Sequence, residues 1–85
     1  MDREKELELF VITMEECGEL IKACSKMLRF GESEHEAELQ QEIADVLCMI
    51  HLLKKYKFVT EEQIEKGIQN KQSKLKKYST LYIGE

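Results

Sequence analysis

Apolar residues recur every three or four positions through most of the chain, and that period predicts helices rather than strands. The first helix is expected over 2–30, stopped by Gly31 in a left-handed conformation open to glycine. At about 100° per residue, Phe10, Met14, Cys17, Ile21, Cys24 and Leu28 form one stripe. Leu9, Ile12, Leu20, Ala23, Met27 and Phe30 form a second, and a helix apolar on two sides is expected between two neighbours. Ser33-Glu34-His35-Glu36 reads as a capping box opening a second helix over 34–56. Its expected core stripe is Leu39, Ile43, Val46, Leu47, Ile50 and Leu53, flanked by Glu42, Asp45 and Met49. The short link predicts an antiparallel hairpin. A second capping box, Thr60-Glu61-Glu62-Gln63, opens a third helix over 61–77 with an apolar line through Ile64, Ile68, Leu75 and Tyr78. Lys71 falls inside that line and Lys74 on its edge, so each either snorkels to the surface or reaches inward to an anion.

Composition sharpens this picture. The chain has 85 residues, no proline and four glycines, which suits one all-α domain over residues 1–78. The tail, 79–85, is expected to be frayed or held at a subunit interface. So small a domain is marginal alone and usually needs a metal, a disulfide or a partner. We therefore expect a three-helix protomer, two long antiparallel helices plus a third, assembling into an oligomeric helical bundle. No run approaches the roughly 20 apolar residues of a membrane span, and the charged start, Met1 to Glu8, lacks a signal core. Three cysteines (Cys17, Cys24, Cys48) without Cys-x-x-Cys spacing read as small buried thiols in a reducing cytoplasm.

The net charge of −4 hides an asymmetry: residues 1–53 carry 13 acids against 5 bases, and residues 54–77 carry 8 lysines against 3 acids. One short basic segment does not make the basic face expected of a protein that binds nucleic-acid polymers. Glycine-rich phosphate loops are absent, which excludes a P-loop enzyme. His35 and His51 read as structural, and no serine or cysteine nucleophile set can be assembled.

The informative acids are Glu16/Glu19 and Glu42/Asp45, each pair three residues apart and so on one helix face. Glu16 and Glu19 lie in the second apolar stripe with Ile12, Leu20 and Ala23 rather than beside Lys22, Lys26 and Arg29. Burying unpaired carboxylates is unfavourable, so the placement calls for a cation. Magnesium is bound by such oxygen ligands, commonly alongside phosphate.

Glu-Glu-x-x-Glu over Glu15–Glu19, followed by Glu-x-x-Asp over Glu42–Asp45, resembles the MazG-type all-α nucleoside triphosphate pyrophosphohydrolases, particularly their short single-domain members, phage-encoded ones among them. Ile68-x-x-Lys71-x-x-Lys74-Leu75 is similar to the family's lysine-bearing segment. The resemblance implies Mg²⁺, with Mn²⁺ able to stand in, and cleavage between the α- and β-phosphates of a nucleoside triphosphate. It implies Glu16, Glu19, Glu42 and Asp45 as metal ligands, Glu15 as an accessory acid, and Lys71 and Lys74 as partners of the departing phosphates. It further implies a homodimer or homotetramer. Two alternatives remain: a non-catalytic oligomerising module whose acids pair with a partner's lysines, and a nucleotide sensor on the same fold.

Overall fold

The computed structural model describes residues 1–82. It contains three helices, α1 (Arg3–Phe30), α2 (Glu32–Lys55) and α3 (Glu61–Tyr78), and no strand among the described residues. The Asp2 carboxylate caps α1 by accepting from the Lys5 N–H at 2.9 Å. Glu4 and Glu6 in the first turn and Arg29 in the last complement the helix dipole.

Gly31 alone links α1 to α2. Its φ of +93° is positive as expected, but its ψ of 165° is extended rather than left-handed helical. Because one residue reverses the chain, α2 starts at Glu32, and the capping box expected at Ser33 does not form. Ser33 and Glu36 lie inside the helix, with no side chain capping its start.

At the other end of α2, Lys57 takes the left-handed position (φ 67°). The Phe58 N–H donates to the Leu53 carbonyl at 2.9 Å and the Lys57 N–H to the Lys54 carbonyl at 2.9 Å, a Schellman closure. Three residues later the Thr60 capping box forms as expected. The Gln63 N–H donates to Thr60 Oγ1 at 3.1 Å, and the Thr60 N–H donates to Gln63 Oε1 at 3.0 Å. A Lys54–Glu61 ion pair spans the joint, and the Phe58 ring meets the edge of Phe10 at 4.9 Å.

The hairpin is antiparallel: Lys26 meets Glu38, Glu16 meets Asp45, and Leu9 lies beside Leu52. Only α1 and α2 pack along their lengths, and α3 leaves them as an arm. The radius of gyration is 15.6 Å, against about 12 Å for a compact chain of this length. Leu9, Ala23 and Met49 are the buried apolar residues.

This packing revises two expectations. The face of α2 turned to α1 carries Glu42, Asp45 and Met49, whereas Ile43 and Leu47 of the expected core stripe are exposed. On α1 the stripe through Met14, Ile21 and Leu28 faces away from α2, with Ile21 70% and Leu28 90% exposed. Cys17 and Cys24 share that stripe, and these two and Cys48 are exposed rather than buried. No helix among the described residues is long and apolar enough to cross a membrane. Of the expected tail, 79–82 close α3, with the Ser79 N–H donating to the Leu75 carbonyl at 2.9 Å, and 83–85 lie outside the described residues.

The two left-handed φ values give opposite expectations in chemical denaturation. Gly31→Ala places a side chain in a region almost restricted to glycine and lowers stability by about 1–3 kcal/mol. Lys57→Gly relieves strain of about 1–2 kcal/mol, offset in part by glycine's greater freedom when unfolded, and raises the midpoint.

Candidate metal centre

Half-way along the hairpin, Glu16 of α1 comes against Glu42 and Asp45 of α2. One carboxylate oxygen from each lies within 4.8 Å of the others, and all three residues are half-buried. The register explains the meeting. Glu16 shares a face with Ile12, Leu20 and Ala23, the face that packs on α2, and Glu42, Asp45 and Met49 are the answering positions.

These carboxylates are not neutralised by the chain. No lysine, arginine or histidine forms an ion pair with any of them among the described residues. Neighbouring bases are taken: Lys22 lies 3.7 Å from Glu19, and Lys26 donates to Glu38 at 2.8 Å. Glu42 Oε2 is buried without a hydrogen-bond partner, an arrangement that is unfavourable for a polar atom. Gln41 Nε2 donates to Asp45 Oδ1 at 2.8 Å and holds that carboxylate in place.

The charges register the crowding. Desolvation, then repulsion by Asp45, Glu42, Glu19 and Glu15, raises the Glu16 pKa above its ordinary value. Desolvation, then repulsion by Asp45, Glu19 and Glu38, raises that of Glu42 against a smaller opposing pull from Lys22. Glu38 moves the other way, lowered chiefly by its hydrogen bond from Lys26. His35 Nδ1 lies 3.5 Å from Glu38 and its ring 5.3 Å from Phe30, which assigns it to the hairpin tip rather than to the acidic cluster.

The other predicted site residues are not gathered with these three. Glu19 is half exposed beside Lys22, near enough to Glu42 to repel its charge. Glu15 is exposed next to Glu16, and Lys71 and Lys74 are exposed on α3. Gln41 was not anticipated, although its spacing four residues before Asp45 is the ordinary signal for such a pair. The Lys26–Glu38 bridge between helices has no signal in local spacing.

A family model, the MazG nucleotide pyrophosphohydrolase domain, matches residues 4–79. The chain belongs to this family. The match takes in all three helices and every residue of the acidic cluster. No curated protein and no solved structure matches the chain. The MazG-family chain thus carries an acidic cluster suited to a divalent cation. The three carboxylate oxygens, within 4.8 Å of one another, would have to draw closer to share one ion. Their oxygen chemistry, the lack of an ion pair to any of the three among the described residues and the orphaned Glu42 oxygen all fit such an ion.

The raised values set a sign. A carboxylate whose folded pKa exceeds its unfolded one favours the folded state most fully below the unfolded value, and that contribution is lost as pH rises through the folded value. Without metal, Glu16 and Glu42 therefore weaken the fold at neutral pH, and stability rises as pH falls toward the ordinary 4.5. Glu38 acts oppositely, its contribution present above 4.5 and lost as pH falls through its lowered value. In thermal denaturation with chelator, Glu42→Gln should raise the neutral-pH midpoint and flatten its rise on acidification. The same variant should lose most of any stabilisation by added Mn²⁺, and an unchanged Mn²⁺ response would count against the ligand role.

Proposed function

We propose that this MazG-family chain is a Mg²⁺-dependent nucleoside triphosphate pyrophosphohydrolase, cleaving between the α- and β-phosphates to give a nucleoside monophosphate and pyrophosphate. The observation that carries the reading is the meeting of Glu16, Glu42 and Asp45, three carboxylates without an internal cation, in the seam between two helices.

Glu16, Glu42 and Asp45 would hold the ion, with Mn²⁺ able to replace Mg²⁺. Glu19, near enough to repel the Glu42 charge, would complete the set by turning from Lys22. When bound, the metal supplies neutralisation of phosphate oxygens and a lowered pKa for its water. Gln41 keeps Asp45 Oδ1 hydrogen-bonded and so orients that carboxylate. Glu15, exposed on the same turn as Glu16, serves as an accessory acid at the rim. Lys71 and Lys74 would pair with the departing phosphates, and since α3 does not lie along the hairpin, a neighbouring copy is the natural source of that arm.

Surface area supports a homodimer or homotetramer. The chain exposes 6988 Å², whereas a monomer of its mass exposes about 5,200 Å². The excess exceeds the ~800 Å² per partner of a standard interface. The uncovered α1 stripe through Met14, Ile21 and Leu28 is the surface a second copy would cover.

The deciding assay offers ribo- and deoxyribonucleoside triphosphates with and without Mg²⁺ and follows pyrophosphate. Glu16→Gln and Asp45→Asn should each lower kcat on the order of 100-fold or more, the scale of single electrostatic groups acting on a transition state, with helical content retained. Undiminished pyrophosphate release by either variant removes that residue from the ligand set. Mn²⁺ binding without turnover of any nucleotide would favour the sensor reading instead. Sedimentation of the wild type should give a mass above that of the monomer, and Ile21→Glu on the bare stripe should lower it.

A further inference from the structure

An apolar groove of about 170 Å³ lies in the hairpin seam beyond the acidic cluster. Leu9 and Met49, both buried, floor it, and the half-buried Ile12 and Leu52 line its sides. Tyr56 stands at the far end, and the exposed Lys5 and Glu8 supply its charged groups.

The groove lies next to the carboxylates along the same seam. Ile12 is four residues before Glu16 on α1, and Met49 is four residues after Asp45 on α2. Residues four apart share a helix face. In an antiparallel pair both steps run the same way, away from Gly31. The near end of the groove therefore begins about 6 Å from the carboxylates, at 1.5 Å of rise per residue. A nucleotide has the matching polarity, with anionic phosphates at one end and, one sugar away, a flat ring with apolar faces.

We propose that this groove receives the nucleobase of the substrate, with Ile12, Met49 and Leu52 as its contact surfaces and Glu8 as an acceptor for an exocyclic amino group. The inference rests on the reading that the carboxylates and their cation hold the phosphates. The volume agrees: complete ligand pockets run to roughly 300–1,000 Å³, and this smaller groove suits the ring portion of a ligand whose charged end lies outside it. A second copy is the weaker candidate occupant. The groove lies on the face of α1 already turned to α2, whereas the bare stripe of Met14, Ile21 and Leu28 is on the other face.

The test is calorimetric, in Mn²⁺, comparing α,β-imido nucleoside triphosphates of each base with inorganic tripolyphosphate. In the wild type at least one nucleotide analogue should bind about tenfold or more tightly than tripolyphosphate, the discrimination a hydrophobic pocket contact supplies. Ile12→Trp, which fills the groove, should bring the nucleotide down to the tripolyphosphate level while Mn²⁺ and tripolyphosphate binding persist. Leu52→Ala, a milder change, should weaken the nucleotide alone. Equal affinity of wild type for nucleotide and tripolyphosphate, with Mn²⁺ bound, overturns the base site and leaves the metal reading standing. Loss of Mn²⁺ binding by the wild type itself overturns both. A lower sedimented mass for Ile12→Trp with nucleotide binding intact would give the groove to a second copy and overturn the proposal.

Discussion

Electrostatic repulsion among Glu16, Glu42 and Asp45 is the constraint around which the hairpin is organised. Their faces pack together because Leu9, Ile12 and Ala23 on α1 and Met49 and Leu52 on α2 share the seam with them. Apolar burial therefore draws the carboxylates together, and no base among the described residues forms an ion pair with them, Lys22 only easing the charge on Glu42 from beside Glu19. A fold selected for stability alone would gain by placing Lys22 or Lys26 in the cluster, but those amines serve Glu19 and Glu38. The Lys26–Glu38 bridge acts as a clamp nearer the hairpin tip, four residues from Glu42 on α2 and ten from Glu16 on α1, and ties the helices together against the repulsion of the cluster.

Gly31 sets the geometry upstream of this. A one-residue link leaves little freedom to slide one helix against the other, so the register placing residue 16 opposite residues 42 and 45 follows from the turn. A longer link, with a Ser33 cap, would have allowed other registers. The absence of a side-chain cap at α2 is the counterpart of that economy: some helix-end stability is exchanged for a fixed seam.

The helices, their antiparallel pairing and the half-buried placement of Glu16, Glu42 and Asp45 were legible in the sequence, since they follow from apolar period and helical spacing, which are local signals; Glu19, expected with them and away from Lys22, instead lies half exposed beside that lysine. The Thr60 cap was legible for the same reason. Misreadings arose where two local signals competed. Ser33–Glu36 has the wording of a capping box, but glycine's access to φ +93° let the chain turn first. The α2 stripe through Ile43 and Leu47 satisfies helical periodicity, yet periodicity does not say which of two apolar faces meets α1. The cysteines failed for a related reason: Cys17 and Cys24 lie on an apolar stripe that is left exposed from Met14 to Leu28. The groove beyond the cluster was not legible, because it depends on how two helices pair rather than on either one.

The proposed assembly and ion binding would answer one shortage. Three buried apolar residues are a thin core for a chain this long, and small domains with such cores usually need a further staple. Anything that binds the folded form alone stabilises it in proportion to its concentration and affinity. A cation would act at the seam, where the apolar contacts and the repulsion coincide; a second copy would act on the opposite face of α1, where the bare stripe lies. Those two faces belong to the same helix, so either event would steady the backbone that the other uses. Metal, partner and substrate should thus reinforce one another through α1 without any change of shape, and a metal-free lone protomer should be the weakest form of the protein.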